Sequence, residues 1–309
     1  MTAILHVGPA ERAELWQAEF RRALPEVEFR NWPDLGDPAD IRYLVAWKLT
    51  DELIASLPAL EVLFSIGAGV DQLDLSRLPD HVRIVRMIEP GITTTMAQYV
   101  AAAALALHRE FAFYRQAQVR GDWSPRPTLL CEERSVGVMG LGELGKASLA
   151  MLAPLGFRLR GWNRSARAID GVECFAGAGE LDAFLAGTDI LVCLLPLTDE
   201  TRGILSAELF AKLPKGARLV NAARGGHLIE ADLLSALDTG QISEAVLDVA
   251  QIEPLPGDHP LRSDPRVLVT PHIAGVTRIE TAVHALIENV RGDLAGEALP
   301  GEVDRKRGY

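Results

Sequence analysis

The feature that most limits what this chain can fold into is an alternation that runs almost from end to end. Short apolar runs trade places with stretches of helical periodicity. The candidate strands are Ile4–Val7, Tyr43–Ala46, Val62–Ile66, Val82–Val85, Val136–Met139, Arg158–Gly161, Ile190–Leu194, Leu219–Asn221, Ala245–Asp248 and Val267–Thr270. The helical stretches between them include Glu11–Leu24, Leu144–Leu155, Ala231–Leu237 and Thr277–Ala295. Strand–helix alternation of this kind implies parallel sheets covered by helices, so the expected class is α/β.

The alternation is interrupted once. Pro90-Gly91 reads as a break, Met96 to Gln118 as one long helix, and Trp123-Ser124-Pro125-Arg126-Pro127 as a linker or arm outside regular helix. A length of 309 residues fits two domains better than one. The expected organisation is two lobes with parallel sheets. Residues 1–95 and 277–309 form one discontinuous lobe, and 96–276 form the other.

Charge and cysteines narrow the function classes. A formal net charge of -11 makes a poor surface for nucleic acid or an anionic membrane. The longest apolar run, Val100–Leu107, falls far short of the roughly 20 residues of a spanning helix. The start of the chain lacks the pattern of a secretion signal. The three cysteines, Cys131, Cys174 and Cys193, show neither disulfide nor metal-ligand spacing. We expect a soluble, cytoplasmic protein with no metal, nucleic-acid or membrane partner.

Val136–Met139 leads into Gly140-Leu141-Gly142-Glu143-Leu144-Gly145, a G-x-G-x-x-G pattern between a strand-like and a helix-like run. In that context each glycine has a reason. The first allows a tight turn, the second lets a pyrophosphate approach the backbone, and the third lets helix pack on strand. The helix start, including Glu143 and Leu144, then offers free N–H groups to phosphate.

The residue that reads the ribose is expected about 20 positions on, at the end of the second strand. There the chain has Asn163-Arg164-Ser165 rather than an acidic residue. A guanidinium beside amide and hydroxyl donors suits a 2′-phosphate. The expected cofactor is NADP(H), with NAD(H) as the alternative.

Three later strands each end on unusual polar residues. Asn221-Ala222-Ala223-Arg224-Gly225 places an arginine able to hold a carboxylate by two parallel bonds. Asp248 ends the next strand, and Glu253 precedes Pro254. Thr270-Pro271-His272 then places a histidine, the side chain best suited to proton transfer near neutral pH.

Arginine, glutamate and histidine in this order after a glycine-rich turn resemble the D-2-hydroxyacid dehydrogenase family, in particular its glyoxylate/hydroxypyruvate reductase branch. Further matching pieces are Ile66-Gly67-Ala68-Gly69-Val70-Asp71, Leu195-Pro196-Leu197-Thr198-x-x-Thr201, Glu253-Pro254-Leu255-Pro256 and His272-Ile273-Ala274-Gly275. The resemblance implies a flavodoxin-like substrate domain and an NAD(P)-binding Rossmann domain, with the active site in the interdomain cleft. It assigns acid/base work to His272, its partner carboxylate to Glu253, and substrate-carboxylate binding to Arg224. It implies cofactor contacts at Gly140, Gly142, Glu143, Leu144, Gly145, Leu195, Pro196, Thr201, Ala222, Ala223 and Gly275, and places Asp248 at the nicotinamide carboxamide. Gly67, Ala68 and Gly69 would meet the substrate, with Trp47 closing its mouth. The resemblance also implies a homodimer, with the long helix and the Pro-rich arm as contact pieces. The activity so implied is reduction of small 2-keto acids such as glyoxylate and hydroxypyruvate. Two alternatives remain: an NAD-linked dehydrogenase of a larger 2-hydroxy acid, and a dinucleotide-sensing corepressor-like binding protein.

Overall fold

The computed structural model describes residues 2–305; Met1 and the last four residues of the expected 277–309 segment lie outside the described residues. Contacts divide the chain into two units. Unit 1 comprises the residues up to Ile92 and those from Val276 on, and unit 2 runs from Thr93 to Gly275.

In unit 1 the order is β1 (Thr2–Val7), α1 (Ala10–Ala23), β2 (Val27–Asn31), β3 (Ile41–Ala46), α2 (Asp51–Ala55), β4 (Val62–Ser65) and β5 (Arg83–Val85). The strands form a parallel sheet in the order β2-β1-β3-β4-β5. Its central strands are apolar on both faces, and Ala3 to Leu5 and Tyr43 to Ala46 are fully buried. Strands covered on both sides lose the alternation that marks a one-sided sheet.

Next come α3 (Pro90–His108), α4 (Phe111–Arg120), β6 (Ser135–Met139), α5 (Glu143–Leu152), β7 (Arg158–Asn163), β8 (Glu173–Ala176), α6 (Gly177–Ala186) and β9 (Ile190–Cys193). They are followed by α7 (Ala207–Ala211), β10 (Ala217–Asn221), α8 (Glu230–Asp238), β11 (Ile242–Leu247), α9 (Pro260–Ser263) and β12 (Val267–Val269). The second sheet is also parallel, in the order β12-β11-β10-β9-β6-β7-β8. Strand order reverses between β6 and β9, the switch point at which open α/β sheets take ligands. Cys193 is fully buried beside it, and burial pushes its thiol up to about 12.

The final helix, α10 (Ile279–Leu294), belongs to unit 1. Its Ala282, Val283, Leu286, Ile287 and Val290 form one buried stripe. Trp16 of α1 donates its Nε1–H to the carbonyl of Ile279 at 2.9 Å, and Tyr43 of β3 donates to Asp293 at 2.8 Å.

Two expectations about the middle of the chain are corrected. Pro90-Gly91 does not break the chain; it starts α3. Proline suits the first helical position because it lacks an N–H that would go unpaired. The buried Glu89 carboxylate accepts from the N–H of Gly91 at 2.5 Å and of Ile92 at 2.8 Å, capping the helix. Nor is Met96 to Gln118 one helix: α3 ends at His108, and Glu110 adopts a left-handed backbone with φ of 55° before α4 begins. The turn is held by tertiary ion pairs, Glu110 accepting from Arg218 at 2.9 Å and from Arg126 at 2.8 Å. Strands β2 and β8 had no counterpart in the sequence reading; both are short edge strands.

Candidate active site

Because the strands of the second sheet are parallel, their C-terminal ends share one edge, and the sheet order fixes what stands beside what. Along that edge come His272 after β12, Asp248 after β11, Ala222 to Arg224 after β10, Leu195-Pro196 after β9, Gly140 to Gly145 after β6 and Asn163-Arg164 after β7. Residues separated by more than a hundred positions thus form one row.

The glycine-rich turn is built as its spacing requires. Gly140 has φ of 101°, a region closed to most side chains. A Cβ on Gly145 would collide with the Gly140 carbonyl, so helix and strand pack too closely there for any other residue. A Cβ on Gly142 would meet nothing within 4 Å and point into open space, where a phosphate can approach. Gly142 is the N-cap of α5, with Glu143 and Leu144 in its first turn.

Asn163 Oδ1 accepts from the Leu141 N–H at 3.4 Å, and its amide donates to the carbonyl of Ser165 at 3.1 Å. Asn163 therefore ties the turn after β7 to the glycine loop. Arg164 lies 3.3 Å from Glu200 in a solvent-exposed pair. Thr201 donates to the carbonyl of Pro196 at 2.7 Å and closes the Leu195–Thr201 loop.

After β10, Asn221 folds the turn by accepting from Ala223 N–H at 3.2 Å and donating to the carbonyl of Arg224 at 3.1 Å. Ala222 and Ala223 are buried. Arg224 donates through Nη1 to the carbonyl of Ala223 at 2.7 Å, which orients its guanidinium. His227 Nδ1 lies 3.2 Å from the Arg224 backbone nitrogen and 3.1 Å from its carbonyl oxygen, and His227 Nε2 lies 3.2 Å from the Pro196 carbonyl. The fully buried His227 thereby joins the Arg224 and Leu195-Pro196 loops, a role the sequence reading missed.

Glu253 and His272 meet. His272 Nδ1 lies 2.8 Å from Glu253 Oε2, while Glu253 Oε1 accepts from Ala250 N–H at 3.1 Å. His272 is a non-glycine residue with φ of 55°, a costly conformation that clusters at functional positions. The loop carrying Glu253 is held from below: Glu230 accepts from Gln251 N–H at 3.0 Å and pairs with His259 at 3.2 Å. Gly225 lies so close beneath that a Cβ would collide with the Ala250 carbonyl. Asp248 is buried, and its carboxylate accepts from Thr270 Oγ1 at 2.6 Å, Ile273 N–H at 2.9 Å and Ala274 N–H at 2.8 Å. Gly275 follows directly. A cavity of about 830 Å³ opens beside the pair, with Leu255, Leu268 and Val269 as apolar lining and Arg115 and Arg262 as cationic lining.

In unit 1 the turn Gly67-Ala68-Gly69 hangs on Ser65, whose hydroxyl donates to the Gly69 carbonyl at 2.7 Å and accepts from Gln72 at 2.9 Å. The Gly67 N–H points back to Ser65 Oγ at 3.3 Å. Trp47 is 40% exposed, which excludes a core role. Its ring covers Gly67 so closely that a Cβ there would lie 2.7 Å from Cζ3.

Residues 101–274 match the sequence model of the D-isomer specific 2-hydroxyacid dehydrogenase NAD-binding domain. A protein of Yersinia enterocolitica named glyoxylate/hydroxypyruvate reductase A is 40% identical over 312 residues, covering 99% of each chain. The chain is also similar to the crystal structure of a D-isomer specific 2-hydroxyacid dehydrogenase from Xanthobacter autotrophicus in complex with NADPH and MES. The TM-score is 0.93 and the identity 39%, over 100% of this chain and 99% of that one. An NADPH-dependent glyoxylate/hydroxypyruvate reductase from Sinorhizobium meliloti, solved with NADP and sulfate, gives a TM-score of 0.92 at 36% identity over the whole of both chains. Matching over more than half its length to the family's domain, and over nearly all of it to these relatives, the chain belongs to the D-isomer specific 2-hydroxyacid dehydrogenase family.

Proposed function

We propose that this protein is an NADPH-preferring reductase of small 2-keto acids, with glyoxylate and hydroxypyruvate as the substrate class. The observation that carries the reading is the His272–Glu253 pair, placed two strands from Arg224 on the sheet edge that also holds the glycine-rich turn. The cofactor that the glycine-rich turn and the Asn163-Arg164-Ser165 turn would hold would supply the hydride for the keto carbon. As negative charge builds on the keto oxygen, His272 provides the proton. Glu253 accepts the Nδ1–H, which leaves Nε2 to face the substrate and fixes the ring's orientation. Arg224 holds the substrate carboxylate and stabilises the developing oxyanion.

The residues present fit the cofactor. Gly142 leaves open space for the pyrophosphate at the start of α5, and Arg164 and Ser165 offer guanidinium and hydroxyl groups to a 2′-phosphate on a turn that the Asn163 amide shapes through its bonds to Ser165. The relatives that carry NADPH or NADP support the same choice. The Asp248 carboxylate accepts three bonds and retains one acceptor site, on Oδ2, for the carboxamide. On this reading unit 2 binds dinucleotide. Unit 1 binds substrate through Trp47 and the Gly67–Gly69 turn, where Ala68 and Gly69 have N–H groups to offer.

The same reading includes a homodimer in a reducing cytoplasm. Support for the dimer is a run of exposed apolar side chains on α4 and the following arm: Phe111 at 59%, Val119 at 85%, Trp123 at 99% and Leu130 at 61%. Apolar surface of this kind is costly in water. The cysteines are free, and no helix among the described residues is long and apolar enough to cross a membrane.

The test is loss of NADPH and, separately, NADH absorbance with glyoxylate and hydroxypyruvate. Turnover favouring NADPH is expected. Turnover with NADH alone would overturn the Arg164 assignment, and cofactor binding without turnover would overturn the substrate class.

A further inference from the structure

The catalytic loop is anchored by a chain of hydroxyls that begins on a distant helix. Tyr99 of α3 has its hydroxyl 2.6 Å from Thr270 Oγ1, and Thr270 Oγ1 lies 2.6 Å from Asp248 Oδ1. From Asp248 the bonds fan out over the residues around His272. Ile273 N–H reaches Oδ1 at 2.9 Å, Ala274 N–H reaches Oδ2 at 2.8 Å, and His272 N–H reaches the Asp248 backbone carbonyl at 2.9 Å.

The direction of the chain follows from the donors available. A carboxylate only accepts, so the single Thr270 proton points to Asp248, and Thr270 Oγ1 must in turn accept from Tyr99. Burial pushes the Tyr99 phenol up to about 12, so it keeps its proton throughout the working range. His272 needs such support. Its left-handed backbone costs on the order of 1–2 kcal/mol and persists only where neighbours over-determine it.

We propose that Tyr99 and Thr270 are positioning residues for the reaction: their hydroxyl relay fixes the Asp248 carboxylate, which holds the segment from Thr270 to Ala274 in the conformation that presents His272 to Glu253. Tyr99 touches neither reacting atoms nor the His272 ring; it acts through two intermediates. The kinetic part of this inference rests on the reductase reading; the structural part does not.

Tyr99→Phe keeps the ring that packs in the α3 core and removes only the hydroxyl. Thr270→Ser keeps the relay and Thr270→Val cuts it. Thr270→Val is expected to lower kcat about tenfold, Tyr99→Phe about fivefold, and Thr270→Ser less than twofold, consistent with one or two lost hydrogen bonds. The KM for NADPH should stay within about twofold in Tyr99→Phe. The double variant Tyr99→Phe/Thr270→Val should be no slower than Thr270→Val alone, because both changes cut one chain. Multiplying effects, or equal losses in Thr270→Ser and Thr270→Val, would overturn the relay. Independently of turnover, amide hydrogen exchange at Ile273 and Ala274 should quicken about tenfold in Tyr99→Phe, while the β6 and β9 amides are unchanged. Unchanged exchange at Ile273 and Ala274 overturns the relay. Quickened exchange in an enzyme that reduces no keto acid upholds it and overturns the function instead.

Discussion

His272 reaches Glu253 from a backbone conformation that few histidines adopt: Nδ1 and Oε2 lie 2.8 Å apart with His272 at φ 55°. The pair is solvent-accessible, with side chains 36% and 39% exposed, so its worth is directional and not a large stabilisation. Replacing His272 by Ala should lower kcat on the order of 100- to 10,000-fold, since one positioned proton donor is worth about that much. NADPH affinity, read by fluorescence titration, should be unchanged. Glu253→Gln should cost less, because the amide oxygen can still accept from Nδ1. Full turnover in His272→Ala would remove this histidine from the mechanism.

Arg224 is predicted to act through two parallel bonds to the substrate carboxylate. Arg224→Gln should raise the KM for keto acid roughly 10- to 100-fold, as expected for losing hydrogen bonds to a charged group. Arg224→Lys should rescue little, because an ammonium cannot present the same fork. Steady-state kinetics with glyoxylate decides it; a fully active lysine variant would reduce Arg224 to a point charge.

The contact between Arg164 and Glu200 is exposed on both sides, 49% and 73%, and worth little in water. A 2′-phosphate can therefore take the arginine at small cost. Arg164→Ala should raise the KM for NADPH about tenfold or more and leave that for NADH nearly unchanged. Equal shifts for both cofactors would refute the phosphate role.

Gly142 and Gly145 separate binding from folding. Gly142→Ala places a methyl in open space, so the melting temperature should hold while NADPH binding weakens about tenfold or more through obstruction of the phosphate approach. Gly145→Ala drives a methyl into the Gly140 carbonyl and should lower the melting temperature as well. A stable, tight-binding Gly142→Ala would contradict the assignment of the pyrophosphate to this turn.

Glu244 predicts a pH dependence. Its carboxyl is buried, and burial raises it from 4.5 to about 7, with Arg218, Arg126 and Arg134 pulling it down and Glu110 pushing it up. A carboxyl raised on folding favours the native state while neutral. That contribution is complete below about pH 4.5 and is lost as the pH climbs through about 7. Thermal melts should show Glu244→Gln gaining on the parent between pH 5 and pH 8, by up to about 3 kcal/mol. A difference that does not change with pH would refute it.

Much of this was readable from residues alone, for a local reason. Strand ends that carry ligands are punctuated by glycine, proline and an isolated polar residue, so the Gly140 turn, Arg224, Asp248, Glu253 and His272 announced themselves in one dimension. What stayed hidden depended on distant partners. The break at Glu110 is set by Arg218 and Arg126, and nothing in a glutamate signals a left-handed backbone. Pro90-Gly91 looked like a stop for a local reason instead: its cap is Glu89, the residue just before it, and glutamate is not among the side chains that usually mark a helix start. Tyr99 stands 171 positions before Thr270, too far for any spacing rule. The edge strands β2 and β8 print no buried apolar run: Glu28 and Arg30 interrupt the first, and the second opens on Glu173 and has no buried residue.

The return of α10 to unit 1 sets an order in time as well as in space. A chain leaving the ribosome delivers every strand of the second sheet before Ile279 appears. The Trp16 side of the first sheet, made at the outset, must wait for α10 to cover it. The lobe begun first is thus the one closed last. Until then it exposes a tryptophan-bearing apolar face, and this is the interval in which a nascent copy is most open to chaperone capture or mispairing.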